Sequence, residues 1–309
     1  MGEIPGHFEM ILAPENPSYN NLPGIWTLLG GLWVLHFSYW GFNQYIIQRA
    51  LGAESLAEAQ KGLAFAAALK LLIPIIVVIP GIAALYLARE GQLDMVRLAA
   101  SPDSTYGILM GLVPEGLRGL VFAALIAAIV SSLASMMNSI STIFTMDIYR
   151  DLIAPGRTEA HYVSIGRLTS AAAIVIAVIL ARPFLGGMES AFQAIQEYTG
   201  FIAPGIVSVF LLGMFWKGCN AQGAFAMLIV SVLANIALKF MTPDLAFVIR
   251  IWIVFLSCLV VGYLVSNMAK TDDGRAIDLV GMNFVTTRGF NQSAVGLTVI
   301  LIAIYVYFW

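Results

Sequence analysis

Charge is scarce in this chain: Lys, Arg, Asp and Glu make up only 11% of its 309 residues, where soluble domains average roughly 25%. With 60% hydrophobic residues and a mean hydropathy of +0.86, that shortage excludes an ordinary soluble fold. Cysteine is nearly absent as well. Cys219 and Cys258 lie in or beside apolar runs, form no Cys-x-x-Cys pair, and read as small packing residues. The three histidines, His7, His36 and His161, are too dispersed for a zinc site. A net charge of −2 argues against nucleic acid as a partner. No nucleophile, base and orienting acid fall at workable spacing, so the residues do not read as an enzyme. Residues 1–24 contain no Lys or Arg and no sustained apolar stretch. They lack the basic-then-apolar pattern of a signal peptide and read as an extracytoplasmic loop.

What the chain has in abundance is long apolar runs. A hydrocarbon core of about 30 Å needs about 20 apolar helical residues. Eight runs qualify: 25–47, 61–88, 116–146, 164–186, 191–216, 221–241, 246–267 and 291–309. The expected fold is therefore an all-α integral membrane protein of about eight transmembrane helices, multi-pass in a cell (inner or plasma) membrane. The connectors hold most of the charge, as in REGQLDMVRLAASPDS at 89–104 and AKTDDGRAIDLVGMNFVTTRG at 269–289, and no soluble domain interrupts them.

Cytoplasmic loops are enriched in Lys and Arg. With the N-terminal tail outside, Arg49, Lys61, Arg150, Arg157, Arg167, Lys217, Lys270, Arg275 and Arg288 face the cytoplasm. Arg89, Arg97, Arg118, Arg182, Lys239 and Arg250 face outward. That moderate bias sets the expected orientation, with Trp309 outside and Trp216 beside Lys217 as an interfacial anchor.

Packing alone does not explain several polar residues inside these runs. Lys70 stands nine positions beyond Lys61 and nineteen before Arg89, about 13 Å inside its span at about 1.5 Å per residue. A cation at that depth costs at least about 2.5–3.5 kcal/mol on insertion scales. It must either pair with a buried group that holds helices together or line a substrate path. Pro74 and Pro80 follow on the same helix and are expected to bend it. In the third span, Ser131, Ser135, Asn138, Ser139 and Thr142 fall on one arc of about 100°. Such hydroxyls either join helices or bond back to their own helix. The alternative is a site for a hard cation, which favours oxygen ligands, built from Ser131, Ser132 and the carbonyl of Ala128.

The first span holds His36, Ser38, Tyr39, Trp40, Asn43 and Gln44, an aromatic and polar setting that suits the apolar faces and polar edges of a sugar. Trp26, Trp33 and Trp40 recur every seven residues, as in a packing or lipid-facing stripe. The fifth span opens with Gln193, Gln196, Glu197 and Thr199 ahead of Pro204-Gly205. A bend is expected there, with the amides either ligands or a polar cap at the membrane edge.

The segments YWGFNQYIIQRAL, IPGIAALYL after Lys70, GLVFAALIAAIVSSLASMMNSISTIFTMDIYRDL, AFQAIQEYTGFIAPGIVSVFLLGMFWKG and CNAQGA occur in this order along nearly the whole chain. Together they resemble the sodium/glucose and sodium/galactose branch of the sodium/solute symporter family. The resemblance implies a five-plus-five inverted repeat with solutes bound near the midplane between bent helices. It makes residues 25–216 the second repeat and 221–309 three trailing helices, with the first repeat a missing partner. It also implies sodium at Ala128, Ser131 and Ser132, sugar contacts at Lys70 and Gln196, and Tyr39 closing over the sugar from the cytoplasmic side. At His36 the sugar branch usually carries a small or amide residue, so the identity of the sugar stays open. The expected function is sodium-driven sugar symport by alternating access. A different small polar solute, a non-transporting solute receptor and a sodium channel are the alternatives. With half of each site absent, these 309 residues alone are expected not to bind sodium and sugar together.

Overall fold

A computed structural model describes residues 8–16, 19, 22–100, 102–185, 191–269, 279, 282 and 284–308. Residues 1–7, 17–18 and 20–21 of the expected loop, much of the 269–289 connector and Trp309 lie outside the described residues. Two compact units divide the chain, Met1–Ile73 with Phe192–Trp309, and Pro74–Ala191.

The described residues are helical nearly throughout. Four helices lead: α1 (Ile25–Leu29), α2 (Gly31–Gly41), α3 (Gln44–Leu51) and α4 (Leu56–Lys70). Next come α5 (Ile73–Arg89), α6 (Met95–Ala100), α7 (Thr105–Met110), α8 (Glu115–Thr142), continued by a π-helical stretch Ile143–Ile153, and α9 (Glu159–Leu185). Then follow α10 (Ala191–Phe215), α11 (Ala221–Met241), α12 (Phe247–Ala269) and α13 (Arg288–Tyr307).

Among the described residues seven helical stretches are long and apolar enough to cross a membrane. The run expected as a first span, 25–47, is no single helix: it breaks at Gly30 and again at Phe42-Asn43. Gly30 adopts φ −105°, ψ −133°, far from helical values. The protein is nonetheless a multi-pass membrane protein. The most apolar window of Glu115–Ile153 buries 0% of its residues, leaving a surface of Leu, Ile, Val and Phe that suits hydrocarbon and not water.

Local chemistry explains where helices begin and break. Ser55 caps α4 by accepting from the Glu58 N–H at 3.2 Å. Asn220 caps α11 by accepting from Gly223 N–H at 3.0 Å, and Thr287 caps α13 through Phe290 N–H at 3.3 Å. Such side chains satisfy donors that the first helical turn leaves open. Between α4 and α5 the helix fails at Leu71-Leu72. Pro74 has no N–H to offer the carbonyl four residues back, which is that of Lys70. Leu71 and Leu72 instead bond three residues back, to Ala68 and Leu69.

In the first unit, Val34 and Leu35 of α2, Ala203 and Val207 of α10, and Ile251 and Phe255 of α12 form one buried core. Met227 of α11 with Val254 and Cys258 of α12 forms a second. Backbones approach closely here. A Cβ on Gly31 would collide with the Val248 carbonyl oxygen and with Ile251, so α2 lies against α12 only because residue 31 has no side chain. In the second unit Ala84 and Ala88 of α5 and Leu98 of α6 form a small core against which Ile108 and Leu109 of α7 pack. There α8 meets α9 through polar contacts. Ser141 donates to the Gly166 carbonyl at 2.9 Å, and Ser170 donates to that of Met137 at 3.4 Å.

The bend expected at Pro204 is held from outside the helix. Pro204 leaves the Gly200 carbonyl without its helical donor. Asn235 of α11 donates to that carbonyl at 3.2 Å. One register on, Ser231 accepts from Gly205 N–H at 3.0 Å and donates to the Phe201 carbonyl at 2.8 Å. A single hydroxyl thereby bridges the two groups that an unbroken helix pairs with each other.

Candidate functional site

In the first unit, three of the four expected solute residues gather on α2 and the end of α4. α2 turns Gly31, Val34, Leu35 and Ser38 inward and presents His36, Tyr39 and Trp40 on its exposed side. Spacings of three and four residues put these side chains on one face. The Lys70 ammonium sits over the Trp40 ring, 4.0 Å from its centroid, and His36 is an electrostatic neighbour of Lys70. The Tyr45 hydroxyl donates to the Tyr39 hydroxyl at 2.8 Å. Tyr39 meets Trp40 edge-on at 5.1 Å and Tyr45 at 5.9 Å.

A cation on an indole face is worth about 0.5–1 kcal/mol when exposed and about 2 when desolvated. Among the described residues Lys70 meets an aromatic face and no carboxylate, and its three N–H donors are not consumed by that contact. Aromatic rings, a phenol pair, an imidazole and an ammonium on one open surface offer both stacking and hydrogen bonds to a polyhydroxylated ring. Trp40 belongs to the aromatic and polar set expected on this span, whereas Tyr45 gains a role that the sequence did not single out.

Gln196 stands on α10, half-buried. Its neighbour Glu197 is the hub of an ion network. It meets Lys239 of α11 at 3.1 Å and Arg250 of α12 in a shorter contact, and Arg250 is only 4% exposed. Sequence reasoning grouped Glu197 with the amides and missed the two cations. The available signal was that all three charges fall at the same ends of successive spans.

The expected sodium residues belong to the second unit. Ala128, Ser131 and Ser132 share one exposed face of α8. The rest of the polar arc has divided tasks. Ser135 bonds back to the Ser131 carbonyl at 3.1 Å and Thr142 to that of Asn138 at 2.8 Å. Ser141 joins α8 to α9, and Ser139 and Thr145 are buried with hydroxyl oxygens that have no partner among the described residues. A groove of about 380 Å³ lined by Asn138, Ser141, Thr142, Thr145, Glu159 and Arg167, among others, runs between these elements.

Two hydroxyls and a carbonyl make an oxygen-only donor set of the kind hard cations take. Calcium takes 6–8 oxygens and magnesium six, so three form a partial shell. Among the described residues no group of three His, Cys, Asp or Glu could hold a metal ion.

Comparison with known proteins gives consistent results. The description "Sodium:solute symporter family" matches residues 10–231. A sodium/glucose cotransporter of Vibrio parahaemolyticus is 47% identical over 316 aligned positions, covering 99% of this chain and 58% of that protein. The sodium/myo-inositol cotransporter of Bos taurus is 33% identical over 74% of this chain and 34% of its own length. The human sodium/myo-inositol cotransporter is 35% identical over 70% of this chain and 32% of its own length. The chain thus spans between about a third and three-fifths of these relatives. Their names describe transporters, not enzymes.

Proposed function

Because the chain belongs to the sodium:solute symporter family, we propose that it forms the second repeat and trailing helices of a sodium-coupled symporter for a sugar such as glucose or galactose. In this reading residues 25–216 make the repeat and 221–309 the trailing helices. A first repeat is the partner that completes both sites. The observation that carries the reading is the Lys70 ammonium lying over Trp40 on the open face shared with His36 and Tyr39.

Each residue has a role that its chemistry allows. Lys70 donates to sugar hydroxyls, and the Gln196 amide both donates and accepts. His36 reads one ring edge, and Tyr39 closes over the sugar from the cytoplasmic side. Sodium, as the co-transported ion, lodges against the hydroxyls of Ser131 and Ser132 and the Ala128 carbonyl. Filling that site favours the outward-open state, which in turn favours the sugar. By linkage the sugar raises sodium affinity by the same factor. One elementary charge moving through 100 mV releases about 2.3 kcal/mol. At about 1.4 kcal/mol per tenfold, that supports about fortyfold accumulation.

Relatives named for myo-inositol favour a second solute, a cyclic polyol, on the same face. His36, where the sugar branch usually has a small or amide residue, is where the two solutes are told apart. The test is uptake into liposomes by these residues joined to a first repeat. Ser132→Ala is expected to abolish sodium-dependent glucose uptake. Undiminished uptake removes the sodium assignment, and inhibition by myo-inositol stronger than by glucose selects the polyol.

A further inference from the structure

The network around Glu197 joins the ends of three spans and includes one cation, Arg250, that is only 4% exposed. An ionisable group within a membrane span is retained for a function far more often than by chance. A buried ion pair is weak evidence for stability, because desolvation offsets most of the attraction. Among the described residues the buried Arg250 Nε–H has no partner, so the pairing with Glu197 does not satisfy the whole guanidinium. Lys239 further approaches the rings of Tyr198 and Phe201 at 5.9 and 5.8 Å. The Arg250 guanidinium lies 5.9 Å from the Phe201 ring.

Glu197 is next in sequence to Gln196, so the two side chains leave α10 about 100° apart. What fixes one azimuth fixes the other. The first part of α10, ahead of the Pro204 break, is tied down at two levels. Asn235 and Ser231 hold Gly200, Phe201 and Gly205, and Lys239 and Arg250 hold Glu197. Without the two ion pairs of Glu197, that segment keeps the bonds at the bend and the packing of buried Ala194 and Gly200 but loses its charged ties to α11 and α12. A turn of about 20° at a side-chain radius of about 5–6 Å displaces the amide by about 2 Å, more than a hydrogen bond tolerates.

We propose that Glu197, clamped by Lys239 and Arg250, is a positioning residue that holds the Gln196 amide at the angle needed to receive the solute, and so sets solute affinity. The inference rests on the reading of Gln196 as a solute contact.

The test measures glucose uptake driven by a sodium gradient in liposomes bearing these residues joined to a first repeat. Glu197→Gln keeps the shape and removes the charge. It is expected to raise the glucose KM about tenfold with Vmax within twofold, and with half-saturation by sodium unchanged. Gln196→Ala raises KM by at least as much. The double variant does no worse than Gln196→Ala, because Glu197 acts through that amide. Spin labels at positions 192 and 240, exposed on α10 and α11, in a Cys219→Ser, Cys258→Ala background, report the clamp itself. Their distance distribution broadens in Glu197→Gln. A normal KM in Glu197→Gln beside a raised KM in Gln196→Ala overturns the clamp's role, as do multiplicative effects in the double variant or an unchanged distance distribution. An unaltered KM in Gln196→Ala instead removes the solute-contact reading, and the affinity role of the clamp with it.

Discussion

Removing the Ser231 hydroxyl deprives α10 of two bonds at once, those to Gly205 N–H and the Phe201 carbonyl. Ser231 is 0% exposed, so no water replaces it. Interhelical hydrogen bonds within membranes average about 0.6 kcal/mol, with a maximum of about 1.7. Ser231→Ala is therefore expected to destabilise by about 1–3 kcal/mol. Asn235→Ala loses the bonds to the Gly200 and Ser231 carbonyls but also removes a buried Oδ1 with no partner among the described residues, so about 1 kcal/mol is expected. Pro204→Ala restores the helical N–H donor that the Gly200 carbonyl lacks. In that background Asn235→Ala should cost less than in the native protein, a non-additivity that arises only if the two groups serve one carbonyl. Ser257→Ala is the control, because that exposed hydroxyl bonds only back to Ile253; its change should stay within about 0.5 kcal/mol. Reversible unfolding in mixed micelles measures all five variants, the Pro204→Ala/Asn235→Ala double included. A Ser231→Ala cost no larger than that of Ser257→Ala, or strict additivity of Pro204→Ala with Asn235→Ala, would refute the view that α11 holds the bend in α10.

Other expectations follow from single contacts. Gly31→Val should force α2 away from the Val248 carbonyl at a cost of about 1–3 kcal/mol, while Gly41→Ala, with nothing within 4 Å of the new Cβ, should be neutral or mildly stabilising in a thermal-shift assay. Trp40→Leu removes the ring under Lys70; about 0.5–1 kcal/mol corresponds to a rise of about two- to fivefold in the glucose KM. Cys219 lies between spans, where burial pushes its thiol above the usual value against an opposing hydrogen bond with Ser266. Maleimide reacts with the thiolate, so labelling of Cys219 should be slow at pH 7 and reach half its maximal rate only above about pH 8.5, where an ordinary thiol is already half ionised.

Membrane character and most span positions were legible because bilayer thickness imposes a length that apolar runs reveal directly. The 25–47 run shows the limit of that reasoning: hydropathy reports composition but is blind to Gly30 leaving helical space and to the stop at Phe42-Asn43. Lys70 could be flagged by depth, since the cost of a mid-membrane cation depends only on position. Its partner could not be read, because an indole 30 residues away looks like part of a lipid-facing stripe. The bend at Pro204 was readable from proline's missing donor, whereas the groups that satisfy it, Ser231 and Asn235, lie on another helix and carry no local sign of that task. The polar arc of α8 was visible as an arc, yet its division into back-bonded Ser135 and Thr142, joining Ser141 and exposed Ser131 and Ser132 depends on which neighbour each residue meets.

Sodium-coupled carriage requires that an imposed sodium gradient drive solute through a pathway that includes Lys70. Liposomes bearing these residues joined to a first repeat should accumulate labelled glucose above the external concentration only when sodium is higher outside. Lys70→Ala should abolish that accumulation while leaving the protein folded. Glucose binding without any net flux, or full sodium-driven accumulation by Lys70→Ala, would contradict such carriage.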